Sequence, residues 1–256
     1  MPSTQTLPER PPDLPASPVM LGPTPRLELS GAPTLPSPYL LHVLREVPVF
    51  QALSEPLLGL LTVRAQLRRY ARDEVIVRQD GVDGQLFVLR KGRAHAERAG
   101  ANGRSVLLDV LGPGAFIGEM NLIDGAPHSA SVRCVQASEV LVLRGAEVMH
   151  CQAQSPEFSQ AWAIALVRRL RESNQRIMSM SLDGVRERVL WQLGRWSELD
   201  PPAGRVVSSR IGRNELARMV GASREMVCRV LRSLQAAGRI ELRRDRSILL
   251  RDRPTD

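Results

Sequence analysis

Residues 213–234, RNELARMVGASREMVCRVLRSL, carry arginines and a glutamate at spacings suited to reading the edges of base pairs. At about 100° per residue, Arg224, Glu225, Cys228, Arg229 and Arg232 fill one arc of a helical wheel. A guanidinium grips guanine O6 and N7 with two hydrogen bonds, and a carboxylate accepts from a cytosine amino group. The small Cys228 would keep such a helix close to the bases. Met226, Val227, Val230, Leu231 and Leu234 fill the opposite arc, as they would in any amphipathic surface helix. That simpler reading leaves one coincidence unexplained. Ala217, one turn before Gly221, lets two helices touch, and the glycine lets the chain turn sharply between them. This is the build of a helix-turn-helix, whose second helix lies in the DNA major groove. Arg213, Ser223, Arg244 and Arg246 join the reading residues in the expected DNA-contacting set.

The rest of the chain must position that face. At 256 residues and 43% hydrophobic content it can build two domains with separate cores. The net charge of +8 and a pI near 10.7 suit a polyanionic partner. Residues 184–256 hold 16 Arg against 9 Asp plus Glu, so most of the excess lies in the last quarter. Of the 35 basic residues only Lys91 is lysine, so arginine content is a compositional habit and its location carries the information. Three scattered cysteines, Cys134, Cys151 and Cys228, suggest neither a disulfide framework nor a metal site. Cys134 suits a strand and Cys151 a position near a helix start. No apolar run approaches the ~20 residues needed to span a membrane. The N-terminus lacks the basic and apolar regions of a signal peptide, so a cytoplasmic location is expected.

Four segments follow from composition and periodicity. Residues 1–38 contain eleven of the nineteen prolines and no aromatic residue, which predicts a disordered tail. Residues 39–153 begin with a helix that Ser54 can cap and that carries Pro56 in its first turn. Short β-prone runs follow at Val75–Val77, Leu86–Leu89, Ala94–Glu97, Val106–Leu111, Ser131–Val135 and Val140–Leu143, separated by glycine-rich turns. Such spacing predicts a small antiparallel barrel or jelly roll. In residues 154–183, Ala163, Leu166, Leu170, Ser173, Ile177 and Met180 recur at alternating three- and four-residue steps, the seam of a two-stranded coiled coil. Arg168, Arg169, Arg171 and Glu172 decorate the outside of that helix, and a dimer is expected. Residues 184–256 hold the DNA-binding unit. After the loop Asp200–Gly204 and the helix-turn-helix, Ile240–Leu242 and Ile248–Leu250 flank a basic tip, a β-hairpin wing suited to phosphates. The fold class is α+β, with a β-roll, a long dimerisation helix and a winged helix-turn-helix.

In this order, and with Leu111–Met120 reading LGPGAFIGEM, the chain resembles the cyclic-AMP receptor/fumarate-nitrate regulator superfamily from about residue 40 to 250. The resemblance implies a transcription regulator whose partners are double-stranded DNA, a second copy of itself and RNA polymerase. It implies an inverted-repeat site with TGTGA-like half-sites, its recognition helices one DNA turn apart. In that family the roll binds an effector, often cyclic AMP. A Gly-Glu pair takes the ribose, an Arg-Ser pair the phosphate, and polar residues of the dimer helix the adenine. Gly118 and Glu119 match the first pair, and Ser173 and Asn174 fall where adenine is contacted. The second pair reads His128-Ser129, and Asn121 replaces a customary small residue. Arginine is always charged and grips phosphate bidentately, whereas an ordinary histidine is mostly neutral at pH 7. The loss weakens phosphate binding by ~1.5–3 kcal/mol. DNA binding independent of cyclic AMP is therefore expected, with a different small effector or none, no cofactor and no metal; the alternative is a cyclic-AMP-gated activator.

Two other classes fit less well. A cupin-type barrel enzyme needs clustered ligands, but His42, His95, His128 and His150 are isolated. A cyclic-nucleotide-sensing subunit acting on another protein would not need residues 205–250. The family's iron–sulfur sensors use cysteines near the N-terminus, and residues 1–133 contain none.

Overall fold

The computed structural model describes residues 37–100, 105–200, 204–208 and 211–251. The expected tail therefore lies outside the described residues except for its last two. Ser37 and Pro38 belong to a helix instead: Ser37 accepts a hydrogen bond from the Leu40 amide at 3.4 Å and caps α1 (Pro38–Arg45). A 3-10 turn (Pro48–Ala52) and α2 (Glu55–Val63) follow. Ser54 stands at the N-cap of α2, but its side chain makes no capping bond.

The roll consists of two four-stranded antiparallel sheets. One has the order β1 (Gln66–Tyr70), β8 (Ser138–Arg144), β3 (Gln85–Lys91), β6 (Phe116–Ile117). The other runs β2 (Val75–Val77), β7 (Ser131–Cys134), β4 (Ala94–Ala99), β5 (Ser105–Leu111). The six predicted runs are strands. β1 was not foreseen because QLRRY shows no apolar alternation; it is an edge strand paired with β8, with most of its side chains in water. Phe87, Leu89, Leu111, Val132 and Val140 pack between the sheets. Between β6 and β7 lies α3 (Glu119–Asp124).

A second core joins the roll to the helices. α4 (Gly145–Gln154) leads into α5 (Pro156–Leu182), which Ser155 caps by accepting from the Phe158 amide at 3.1 Å, with Pro156 at the first helical position. Trp162 lies 5.4 Å from Phe158 and 5.3 Å from Phe116, ring centre to ring centre, so one aromatic cluster ties α5 to β6. Truncating a residue so placed costs about 3–5 kcal/mol. Cys151 is not near a helix start; it lies well inside α4, where burial pushes its thiol up to about 12.

One side of α5 packs on this core and the other carries an apolar stripe. Leu170 and Ile177 are 60% and 63% exposed, and Ala163 is exposed too. Leu166, expected in the same seam, turns instead into the chain's own core, and Met180 packs against the helix-turn-helix. Val167, Ile164 and Met178 stand open in their place. Of the predicted seam, Ala163, Leu170, Ser173, Ile177 and Met180 are thus exposed, and Leu166 alone packs against the chain's own core.

The C-terminal unit contains α6 (Val185–Trp196), α7 (Arg213–Val220) and α8 (Arg224–Ala236), with a sheet ordered β11 (Ile240–Leu242), β12 (Ile248–Leu250), β10 (Gly204–Val207), β9 (Ser197–Asp200). The predicted wing strands are β11 and β12. β9 and β10 flank what the sequence predicts as a plain loop. Leu193, Leu216, Val227, Leu231 and Leu234 form the core.

Candidate DNA interface and effector cavity

The helix-turn-helix is set by local chemistry. The Glu215 carboxylate accepts from the Gly212 amide at 2.9 Å and so caps α7. Gly221 ends that helix at φ +62°, a left-handed conformation, and a Cβ there would lie 3.1 Å from Met180 Cε. Both facts call for glycine. Ser223 then caps α8, accepting from the Met226 amide at 3.1 Å. Val227, Leu231 and Leu234 anchor α8 in the core, with Val230 half-buried. Met226, expected among them, is 37% exposed, because the first turn of α8 projects past the core.

On the open face, Arg224, Glu225, Arg229 and Arg232 are exposed and Cys228 is half-buried. Arg213 is exposed at the start of α7, and Ser223 at the cap. Among the described residues the guanidinium groups of Arg213, Arg224 and Arg229 have no protein partner, so they are available to an anionic or hydrogen-bonding ligand. In the wing, Arg244 and Arg246 flank Asp245, whose carboxylate accepts from the Ser247 hydroxyl at 2.7 Å and amide at 2.9 Å. Those bonds hold the Asp245 carboxyl below its ordinary value and shape the turn, with Arg246 at φ +70°. Both arginines are exposed.

A cavity of about 780 Å³ lies between the roll and α5. Gly118, Glu119, His128, Ser129 and Ser173 all line it, so five of the six nominated effector residues meet at one place. Asn174 is exposed and does not line the cavity. Gly118 is demanded twice, by φ +93° and by the Gln85 carbonyl 2.5 Å from where a Cβ would sit. The departure at Asn121 is structural: its buried amide accepts from Gly84 N–H at 3.2 Å and donates to the Ala126 carbonyl at 2.8 Å.

Three arginines line the cavity, and each is engaged. Arg169 does not decorate the outside of α5. It turns inward, donating to Glu119 at 2.6 Å and to the Phe116 carbonyl at 2.7 Å, with its guanidinium 4.6 Å from the Phe116 ring centre. Arg195 pairs with Asp109 at 3.2 Å and with Glu172 at 2.8 Å. Arg176 donates to the carbonyls of Leu107 and Leu108 on β5 and of Met219 on α7, and burial lowers its pKa. The sequence carries a signal for this set: Leu166, Arg169, Ser173 and Arg176 recur at three- and four-residue steps and share a face. His128 is 6% exposed; its Nε2 lies 3.2 Å from Asp83 Oδ2, too poorly aligned to hydrogen-bond, and has no other partner among the described residues. No group of three or more His, Cys, Asp or Glu among the described residues is arranged to hold a metal ion. No helix there is long and apolar enough to cross a membrane.

Comparison with known proteins agrees with this architecture. A cyclic nucleotide-binding domain model matches residues 67–155, and a Crp-like helix-turn-helix domain model matches residues 187–255. The chain is 30% identical over 195 residues to the cyclic AMP receptor protein of Thermus thermophilus, covering 76% of this chain and 88% of that one. With the CRP-like cAMP-activated global transcriptional regulator of Mycobacterium tuberculosis it shares 26% identity over 215 residues, or 82% and 95% of the two chains. The solved structure of the c-di-GMP-responsive global regulator CLP of Xanthomonas campestris aligns with a TM-score of 0.61 at 25% identity, over 78% of this chain and 100% of that one. A helix-turn-helix with an open arginine-glutamate face, a β-roll cavity and these relatives converge on one conclusion: the chain belongs to the Crp/Fnr family of DNA-binding transcription regulators.

Proposed function

We propose that this regulator works as a homodimer, joined along the exposed stripe of α5, and binds an inverted repeat with TGTGA-like half-sites without needing cyclic AMP. Residues 39–153 form the roll unit, 154–183 the dimerisation segment and 184–256 the DNA-binding unit. Arg224 and Arg229 read guanines, Glu225 accepts from a cytosine amino group, and Arg213, Ser223, Arg232, Arg244 and Arg246 hold phosphates. Cys228 lets the helix approach. Two-fold symmetry sets the recognition helices ~34 Å apart. Bound upstream of a promoter in the cytoplasm, such a dimer has RNA polymerase as its next partner.

The observation that carries the nucleotide-free reading is the state of the phosphate end of the cavity. His128 offers one unbonded ring nitrogen where the family's nucleotide binders offer a fixed charge, and Asp83 stands 3.2 Å from it. The cavity arginines are already committed to carboxylates and carbonyls. Among the described residues that line the cavity, a phosphate meets no arginine that is not already bonded. The cavity's mostly apolar walls, including Val77, Leu108 and Leu111, suit an apolar effector better than a charged one. A second reading, cyclic-AMP gating, draws support from Gly118, Glu119 and Ser173 meeting at one cavity. Calorimetric titration with cyclic AMP, alongside a DNA mobility shift with and without it, separates the two. Binding to the repeat without nucleotide is expected; tight cyclic AMP binding coupled to tighter DNA binding would refute the reading.

A further inference from the structure

A buried charge cluster joins the roll to the helix-turn-helix. Glu215, on the first turn of α7, is nearly enclosed, its side chain 8% exposed. Its Oε2 accepts from Arg93 at 3.1 Å as well as from the Gly212 amide, and its Oε1 lies 2.5 Å from His95 Nε2. Burial alone would raise the Glu215 carboxyl, but the bonds from His95 and Gly212 and the charge of Arg93 outweigh it and leave its pKa lowered. An ionised carboxylate only accepts, so His95 Nε2 carries the proton between them. On its other side His95 Nδ1 lies 3.4 Å from Glu97, which also receives Arg218 of α7 at 3.0 Å. Thus Arg93, His95 and Glu97 of the roll face Glu215 and Arg218 of α7. Arg176 ties the same two units by donating to both Leu107 and Met219 carbonyls.

Contacts between domains of one chain are ordinarily polar and loose, and relative motion is the default. A buried charge cluster behaves differently. A shift that keeps these groups buried but breaks their pairing leaves ionised groups without partners, so the cluster favours one docked geometry over its near alternatives. In that geometry α7 is docked on β4 and β5 while the arginines of α8 stay open. We infer that Arg93, His95 and Glu97 are positioning residues for DNA recognition: they lock α7 to the roll in the orientation that presents α8, so that the chain's own charges set the domain position. This rests on the nucleotide-free reading above, since a domain fixed in place needs no effector to orient it.

The test uses the full-length chain with Arg93→Ala, His95→Ala and the milder His95→Gln, which keeps a donor toward Glu215. Hydrogen exchange across residues 213–220 reads the docking, exchange in the roll reads its integrity, and a mobility shift without nucleotide reads function. Both alanine variants should speed exchange in α7, leave the roll protected, and weaken binding to the repeat at least about tenfold with base preference retained. His95→Gln should recover most of that loss. Unchanged α7 exchange overturns the lock, and so does faster exchange with unchanged DNA affinity. Tighter DNA binding by the variants overturns it as well, since the cluster would then hold the domain away from DNA. A native chain that binds the repeat only with cyclic AMP overturns the nucleotide-free reading and this inference together. A native chain that binds without nucleotide, matched by its variants, overturns this inference alone.

Discussion

The arginines of α8 and those of the roll cavity are in opposite states. Arg224 and Arg229 stand in water without protein partners, while Arg169, Arg176 and Arg195 are each held by carboxylates or carbonyls. The same side chain is a ligand-seeking group in one region and a structural tie in the other. Burial makes the difference: an enclosed guanidinium must be satisfied from within, whereas an exposed one is solvated and can exchange water for a base or a phosphate. A count of arginines therefore says little about where an anion will bind.

The largest effect tests the proposed dimer, which would double the open arginine face. Leu170→Glu or Ile177→Glu should give monomers by light scattering, with DNA binding weakened roughly a hundredfold or more as two-site binding is lost. Val167→Glu should behave likewise, whereas Leu166→Glu should lower the melting temperature, because Leu166 belongs to the chain's own core. Unchanged dimers for both Leu170→Glu and Ile177→Glu would move the interface elsewhere. Next, His128→Arg puts a committed cation back at the phosphate end of the cavity. Calorimetry should show cyclic AMP affinity rising by up to about a hundredfold. No gain would mean that Asp83, beside His128, or a residue of the cavity wall already excludes phosphate.

Smaller effects distinguish kinds of arginine on the DNA side. Arg224→Ala or Arg229→Ala should cost about 1–3 kcal/mol and relax preference at one base, measured by competition among altered half-sites. Arg244→Ala should weaken specific and random DNA alike and reduce the salt slope by about one unit. Equal losses on both DNAs for Arg224→Ala would reduce it to a phosphate contact. The smallest effect concerns acid. Because the Glu215 carboxyl is lowered in the docked state, its contribution to docking is complete above the ordinary carboxyl range and is lost as pH falls through the depressed value. Interdomain fluorescence transfer should therefore show no Glu215-dependent change from neutral pH down to about 5. A Glu215-dependent loss of docking above that point would mean its carboxyl is not held down.

Much of this was legible in the sequence where local chemistry decides. The Ser223 cap, the Gly221 turn and the apolar triad Val227, Leu231 and Leu234 fix α8 from within their own neighbourhood. The six central strands announce themselves by apolar content. Where a partner from elsewhere in the chain decides, local reading fails. Arg169 was assigned to the outside of α5 because nothing nearby reveals that Glu119 waits across the cavity. Leu166 fits a seam equally well by spacing, and only the roll's position assigns it to the core. Glu215 caps its own helix through the nearby Gly212 amide, while its bonds to Arg93 and His95 span more than a hundred residues of chain and nothing local announces them.

Lys91 is the chain's one lysine, and it is exposed at the end of β3, two residues before Arg93. Apart from the α-amino group, amine-directed chemistry therefore has a single address on this protein. Acylating reagents, and any enzyme that modifies lysines, would leave the DNA-reading surface untouched. A dye coupled at Lys91 would sit two residues along the chain from Arg93 of the charge cluster, a vantage point for watching the roll and the C-terminal unit.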